Sequence, residues 1–197
     1  MTTAINVIRS EHRAIAAVLH GLLYLIGEIR AGRSAARFDA LRAMVHYIDA
    51  FPERLHHPKE DRYLFVALRK RTREANAALD RLEQQHQRGA EMIRDIEQAL
   101  LRYEQGGAQF FEAFASRATE YADFHWRHMR EEEDAILPLA ERVLTSQDWR
   151  GIDAAFAGND DPLLGIQPTR DYERLFTRIV MLMPPPIGIG PRDECAS

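Results

Sequence analysis

The chain has very little cysteine: a single residue, Cys195, near its C-terminal end. One thiol excludes a disulfide framework within the chain and any metal site built from several thiolates. A cationic excess is also lacking. Lys and Arg total 26 against 30 Asp and Glu, a net charge of −4, which argues against a nucleic-acid binder resting on a positive surface. The densest basic run, Arg69-Lys70-Arg71-Thr72-Arg73, reads as cations offsetting the dipole at a helix C-terminus. Strand-type alternation and solenoid repeats are absent from the pattern. So are a Ser-His-Asp arrangement, a phosphate loop and a nucleotide fingerprint. The most apolar stretch, Ala14 to Gly27, contains His20 and is shorter than the roughly 20 residues of a membrane span. Met1-Thr2-Thr3 leads straight into an amphipathic pattern with no signal segment. These features predict a cytoplasmic protein without nucleic-acid or membrane partners; a homodimer stays open.

What the chain does have is helical periodicity. Four long segments carry apolar residues in alternating steps of three and four, the mark of packed amphipathic helices. The first has Ile5, Ile8, His12, Ile15, Leu19, Leu22 and Ile26 on its seam and stops at Ala31-Gly32. The second, from about Ala36 to Arg71, has Leu41, Val45, Ile48, Pro52, His56, Glu60 and Tyr63. Pro52 and Pro58 inside it predict a kink or a tightened turn. The third, from about Arg73 to Glu104, runs Leu79, Leu82, His86, Gly89, Ile93, Ile96 and Leu100 before Gly106-Gly107. The fourth, from about Gln109 to Leu144, runs Phe114, Ala118, Tyr121, His125, His128, Glu132, Ala135 and Leu139. Short connections force antiparallel neighbours, so the expected fold is all-α, an up-down-up-down four-helix bundle. The bundle takes residues 1–145. Residues 146–197 form an extension with two short helices, near Trp149–Ala157 and Arg170–Met181, and a Pro/Gly-rich tail. Phe156, Leu163, Leu164, Leu175, Phe176, Ile179 and Val180 suggest that it packs on the bundle or on a partner.

Each apolar seam is interrupted by histidine: His12, His56, His86, and His125 with His128. Two helices add a glutamate one turn later, His56 to Glu60 and His128 to Glu132. A spacing of four leaves the two side chains about 40° apart on one face, with about 6 Å of rise between them. Burying so many ionisable groups is costly unless they pair or bind metal. In an antiparallel bundle His12, Glu60, His86 and Glu132 all fall in the same half. Imidazole and carboxylate donors without thiolate suit iron, manganese or zinc. Paired carboxylates from facing helices are how bundles bridge two metals, so Glu60 and Glu132 are the expected bridges, with histidines capping each ion.

The motifs Glu11-His12, His56-His57-Pro58-Lys59-Glu60, Gln85-His86 and His128-Met129-Arg130-Glu131-Glu132-Glu133 followed by Leu137-Pro138 resemble the hemerythrin-like, HHE cation-binding proteins. The resemblance covers roughly residues 5 to 144. It implies a non-haem di-iron site liganded by His12, His56, Glu60, His86, His128 and Glu132. Two departures stand out. Oxygen-carrying hemerythrins have a further histidine one turn before the counterpart of His86, where this chain has Leu82. Their last carboxylate is an aspartate five residues after its histidine, where this chain has a glutamate four residues after. One metal is then short of a ligand, and His125 or Glu83 are the substitutes considered.

Other residues are read more blandly. Tyr63 and Tyr121 could hydrogen-bond a ligand or are core residues. His20, His46 and His57 flank the seam, as surface residues or as partners of the ligands. Glu131 and Glu133 read as solvated, with a terminal ligand as the alternative, and Met44, Met92 and Met129 as packing. The expected function is a metal-binding protein taking a small diatomic ligand, oxygen or nitric oxide, or peroxide, for sensing, storage or detoxification. A peroxide-consuming or ferroxidase-like oxidoreductase is the alternative, and a structural or regulatory metal module the third.

Overall fold

A computed structural model describes residues 3–157, 168–183, 185 and 187–189. The described residues are helical, with no strand among them. Helix α1 spans Thr3–Arg30. The second long rod comprises α2 (Phe38–Ile48), a π-helical stretch Asp49–His56, α3 (His57–Lys59), a second π-helical stretch Glu60–Phe65, and α4 (Val66–Arg71). The third is α5 (Asn76–Gly106). The fourth joins α6 (Phe111–Glu131), a π-helical stretch Glu132–Ile136, and α7 (Leu137–Val143). Then follow α8 (Ser146–Ala157) and α9 (Pro168–Leu182).

The helix ends obey local chemistry. Gly32 and Gly107, just past α1 and α5, have φ of 68° and 81°, a left-handed conformation that glycine takes without steric cost. Arg69, Lys70 and Arg71 occupy the last turn of α4, as expected of cations at a helix C-terminus.

The prolines act differently from the expected tightened turn. Around Pro52 and Pro58 the helix widens: the His57 N–H donates to the Pro52 carbonyl, five residues back. The Leu137 N–H likewise donates to the Glu132 carbonyl, just before Pro138. Proline has no N–H for the ordinary ladder, and a π-turn is one way to accommodate a locally disrupted ladder. Such turns gather at functional sites, and here they border His56, Glu60 and Glu132.

The apolar core is divided in two. One part gathers Ile15, Leu19, Leu22, Leu41, Ile48, Ile93, Phe114 and Ala118. The other gathers Ile5, Ile8, Phe65, Leu68, Leu79, Leu82, Ile136 and Leu137. A layer of buried polar side chains lies between them in sequence along every rod. Helix α1 is long and apolar enough to cross a membrane by length and composition, which exceeds the sequence expectation. Its apolar residues pack in both parts of the core.

The extension packs on the bundle. Trp149, Ile152 and Phe156 of α8 join the second core part, and the Asp153 carboxylate accepts the Ala4 N–H at 2.7 Å. Ile179 and Met183, at and just beyond α9, join the first part, with Leu175 and Phe176 packed alongside. Leu163 and Leu164 lie outside the described residues.

Candidate metal centre

The polar layer assembles from all four rods. Helix α1 supplies Glu11 and His12, and the second rod supplies Glu53, His56, His57 and Glu60. Helix α5 supplies His86; α6 and the π-stretch after it supply Tyr121, His125, His128 and Glu132. Glu60 and His125 are fully buried, and His12, His56, His57, His86, His128 and Glu132 are nearly so.

Two groups of potential ligand atoms form, each with all members within 4.8 Å of one another. One is His12, His56, Glu60 and Glu132; the other is Glu60, His86, His128 and Glu132. They share both glutamates. His12 Nε2 lies 3.1 Å from His56 Nε2 and 3.3 Å from Glu132 Oε2. His56 Nε2 lies 3.5 Å from Glu60 Oε2. On the other side, His86 Nε2 stands 3.8 Å from Glu60 Oε2 and 3.7 Å from Glu132 Oε1, and His128 Nε2 3.4 Å from Glu132 Oε1. Donors about 2.1 Å from a common ion stand roughly 3 to 3.5 Å apart, so the spacings suit a cation.

The outer nitrogens are held just as consistently. Each of the four histidines turns Nδ1 to an oxygen: His12 to Glu133 and His56 to Glu11, both at 2.8 Å, His86 to Asp61 at 2.8 Å, and His128 to Gln85 at 2.9 Å. An Nδ1–H donated outward fixes the tautomer and leaves the Nε2 lone pair facing inward, the usual arrangement of metal-bound imidazole. The inner atoms meanwhile lack protein partners: both oxygens of Glu60 and of Glu132, and Nε2 of His86 and His128, are buried without a hydrogen bond. Native interiors rarely leave such groups unsatisfied. The donor set and its orphaned atoms therefore fit a bound cation.

Electrostatics agree. Burial, and then the neighbouring Glu132, push the Glu60 carboxyl well above its ordinary range. Burial opposes ionisation of Glu132 too, but His128 and the close approach of the His12 and His86 imidazoles hold it well below. Facing carboxylates with only imidazoles around them divide their charge unequally, and a cation between them favours ionising both. Burial alone would lower His12 and His86. Nearby carboxylates, Glu132 and Glu133 for His12 and Asp61 and Glu132 for His86, outweigh it and raise each to about 10, and a bound cation would displace the proton at Nε2. For His128 burial outweighs the opposing charge of Glu132 and lowers it to about 4.

All six sequence-derived candidates, His12, His56, Glu60, His86, His128 and Glu132, are thus brought together. Several secondary expectations are corrected. Glu83 pairs with Arg69 at 3.0 Å instead of filling the gap at Leu82. Tyr63 is 46% exposed and turned from the site. Glu133 is not simply solvated, since it accepts a hydrogen bond from His12 Nδ1. His125 is buried beside Tyr121, with ring centroids 5.2 Å apart, and belongs to neither group. His57 is not peripheral: it is buried against His86, centroids 4.2 Å apart. Glu11, Asp61 and Gln85 were missed as histidine partners. Their signal was only adjacency, each standing next to a seam histidine or glutamate.

A comparison with curated proteins returns no match. Residues 3–140 match the family described as Hemerythrin HHE cation binding domain, and the chain belongs to that family.

Proposed function

We propose that this chain holds two non-haem iron ions side by side and binds oxygen, nitric oxide or peroxide there, for sensing, storage or detoxification. The observation that carries the reading is the pair of overlapping ligand groups that share Glu60 and Glu132. His12 and His56 would hold one ion and His86 and His128 the other, with Glu60 and Glu132 available to both. Nitrogen and oxygen donors without thiolate suit iron, with manganese and zinc as the competing choices. Iron so held supplies redox and small-molecule-binding chemistry.

The chain's own residues set the conditions. The outer oxygens of Glu133, Glu11, Asp61 and Gln85 fix the imidazoles in one tautomer and one orientation. The two apolar core parts wall the layer and limit water around it. A site this buried admits a diatomic molecule or a peroxide far more readily than a bulky substrate.

Metal analysis and anaerobic absorption spectra of iron-replete protein test the reading. About two irons per chain, and a near-ultraviolet band that responds to oxygen, nitric oxide or peroxide, are the expected result. One ion or none, or a spectrum indifferent to all three, would overturn it.

A further inference from the structure

The His86 imidazole enters between two parallel rings. His57 stacks on it with centroids 4.2 Å apart and planes 8° from parallel. Phe65 lies at 5.7 Å and 13°. Both flanking rings come from the second rod, where they stand eight residues apart. That separation is about 12 Å of helical rise, enough for the α5 side chain to pass between them. His57 faces inward although it follows the ligand candidate His56. The π-helical stretches bordering α3 turn the chain less per residue than an α-helix does, so consecutive side chains can share the inner face.

We propose that His57 is a positioning residue: stacked on His86 opposite Phe65, it fixes the plane in which that imidazole meets its ion, and does not itself coordinate. This rests on the two-ion reading and deepens it. Parallel rings on both faces leave His86 free to turn only within its own plane. Asp61, 2.8 Å from Nδ1, sets the direction within that plane. The two constraints together define where Nε2 points.

The ring of His57 suits this use. Burial, and then the neighbouring His86, His128 and His125 imidazoles, hold it well below the ordinary imidazole range, so it stays neutral beside a cation. Both of its nitrogens are buried without a hydrogen-bond partner; what it offers His86 is its face. Its own place is set by side chains from three rods. Its Nδ1 lies 3.3 Å from Glu53 Oε2. The Tyr121 hydroxyl donates to Glu53 Oε1 at 2.6 Å and holds that carboxylate. Gly89 of α5 leaves room for it, since a Cβ there would stand 2.8 Å from Glu53 Oε1.

The proton spectrum of the zinc-loaded full chain tests the stack without a substitution. The carbon-bound ring protons of His86 are expected upfield of their unstacked positions, and ordinary positions would overturn the proposal. Cobalt titration against a chelator then compares variants that retain the parental circular dichroism. The parent is expected to bind two ions. His57→Ala should keep one at parental affinity and hold the other about ten-fold more weakly, with an altered visible spectrum. His57→Phe, which keeps a flat ring but has no nitrogen, should restore parental affinity and spectrum. An alanine variant as tight as the parent, or a phenylalanine variant as weak as the alanine one, would overturn the assignment and leave the two-ion reading standing. Fewer than two ions in the parent would overturn both.

Discussion

Glu11 accepts a hydrogen bond from His56 Nδ1 at 2.8 Å, one position before His12 on the same helix. One turn of α1 therefore contributes a donor to the site and also orients a donor from the next rod. Losing such an outer partner typically costs 10- to 100-fold in metal affinity. Glu11→Gln should retain the helical circular dichroism of the parent and weaken metal binding by about ten-fold, Glu11→Ala by more. Chelator competition reads the effect. Parental affinity in both variants would mean that His56 is held by packing alone.

The shared carboxylates give a stoichiometric prediction. If Glu132 bridges, Glu132→Ala removes a donor from both ions, whereas His128→Ala removes one donor from one ion. Expected metal contents after dialysis against a weak chelator are well under one ion per chain for Glu132→Ala and about one for His128→Ala. Two retained ions in Glu132→Ala would exclude a bridging role. The same logic applies to stability. A ligand present at 100 times its Kd stabilises by about 2.7 kcal/mol, so metal removal should lower the melting temperature of the parent far more than that of Glu132→Ala.

The parts of this site that could be read from the sequence were those that obey a constant helical step. His12, His56, His86 and His128 interrupt apolar seams at regular spacing, and Glu60 and Glu132 follow one turn on, so periodicity alone places them inward. His57 fails that rule, because a 100° step turns it away from His56. Only the wider turns around α3 bring it in. The same change of register carries Tyr63 outward to 46% exposure, although it lies seven residues from His56. Glu133 and Gln85 were illegible as partners for another reason. Each serves a histidine on a different rod, and the sequence alone does not set the rotation of one rod against the next.

The Arg37 guanidinium, in the connection after α1, donates to the Leu182 carbonyl at 2.7 Å, at the last residue of α9. A cation on an orphaned C-terminal carbonyl stabilises a helix end. Arg37→Ala should cost about 1 to 2 kcal/mol locally and speed hydrogen exchange in α9 by roughly ten-fold, with metal content unchanged. Equal exchange in parent and variant would show that Ile179 and Met183 hold α9 without this contact.

Asp148 ties α8 to the end of the second rod, and its contribution should depend on pH in a defined direction. Its carboxylate accepts from Arg71 Nε and Nη2 at 2.8 and 3.0 Å, and from the Thr145 N–H and hydroxyl at 2.8 and 2.7 Å. The Thr145 hydroxyl accepts the Asp148 N–H in return at 3.3 Å, a reciprocal cap on the first turn. Arg71 first, and then Thr145, hold this carboxyl well below its ordinary value of 3.8. An acid held below its unfolded value adds stability at higher pH and gives it up as pH falls through that value toward the folded one. Solvent around the pair screens the interaction and keeps it near the size of an ordinary helix cap. Asp148→Asn should therefore cost about 1 kcal/mol at pH 7. The gap between parent and variant should hold down to about pH 5 and narrow by pH 3, as the unfolded chain takes up a proton that folded Asp148 resists. Urea unfolding of both proteins at the three pH values measures it. A gap as wide at pH 3 as at pH 7 would show that the Asn amide loses shape or packing, and that the carboxylate charge is not what anchors α8.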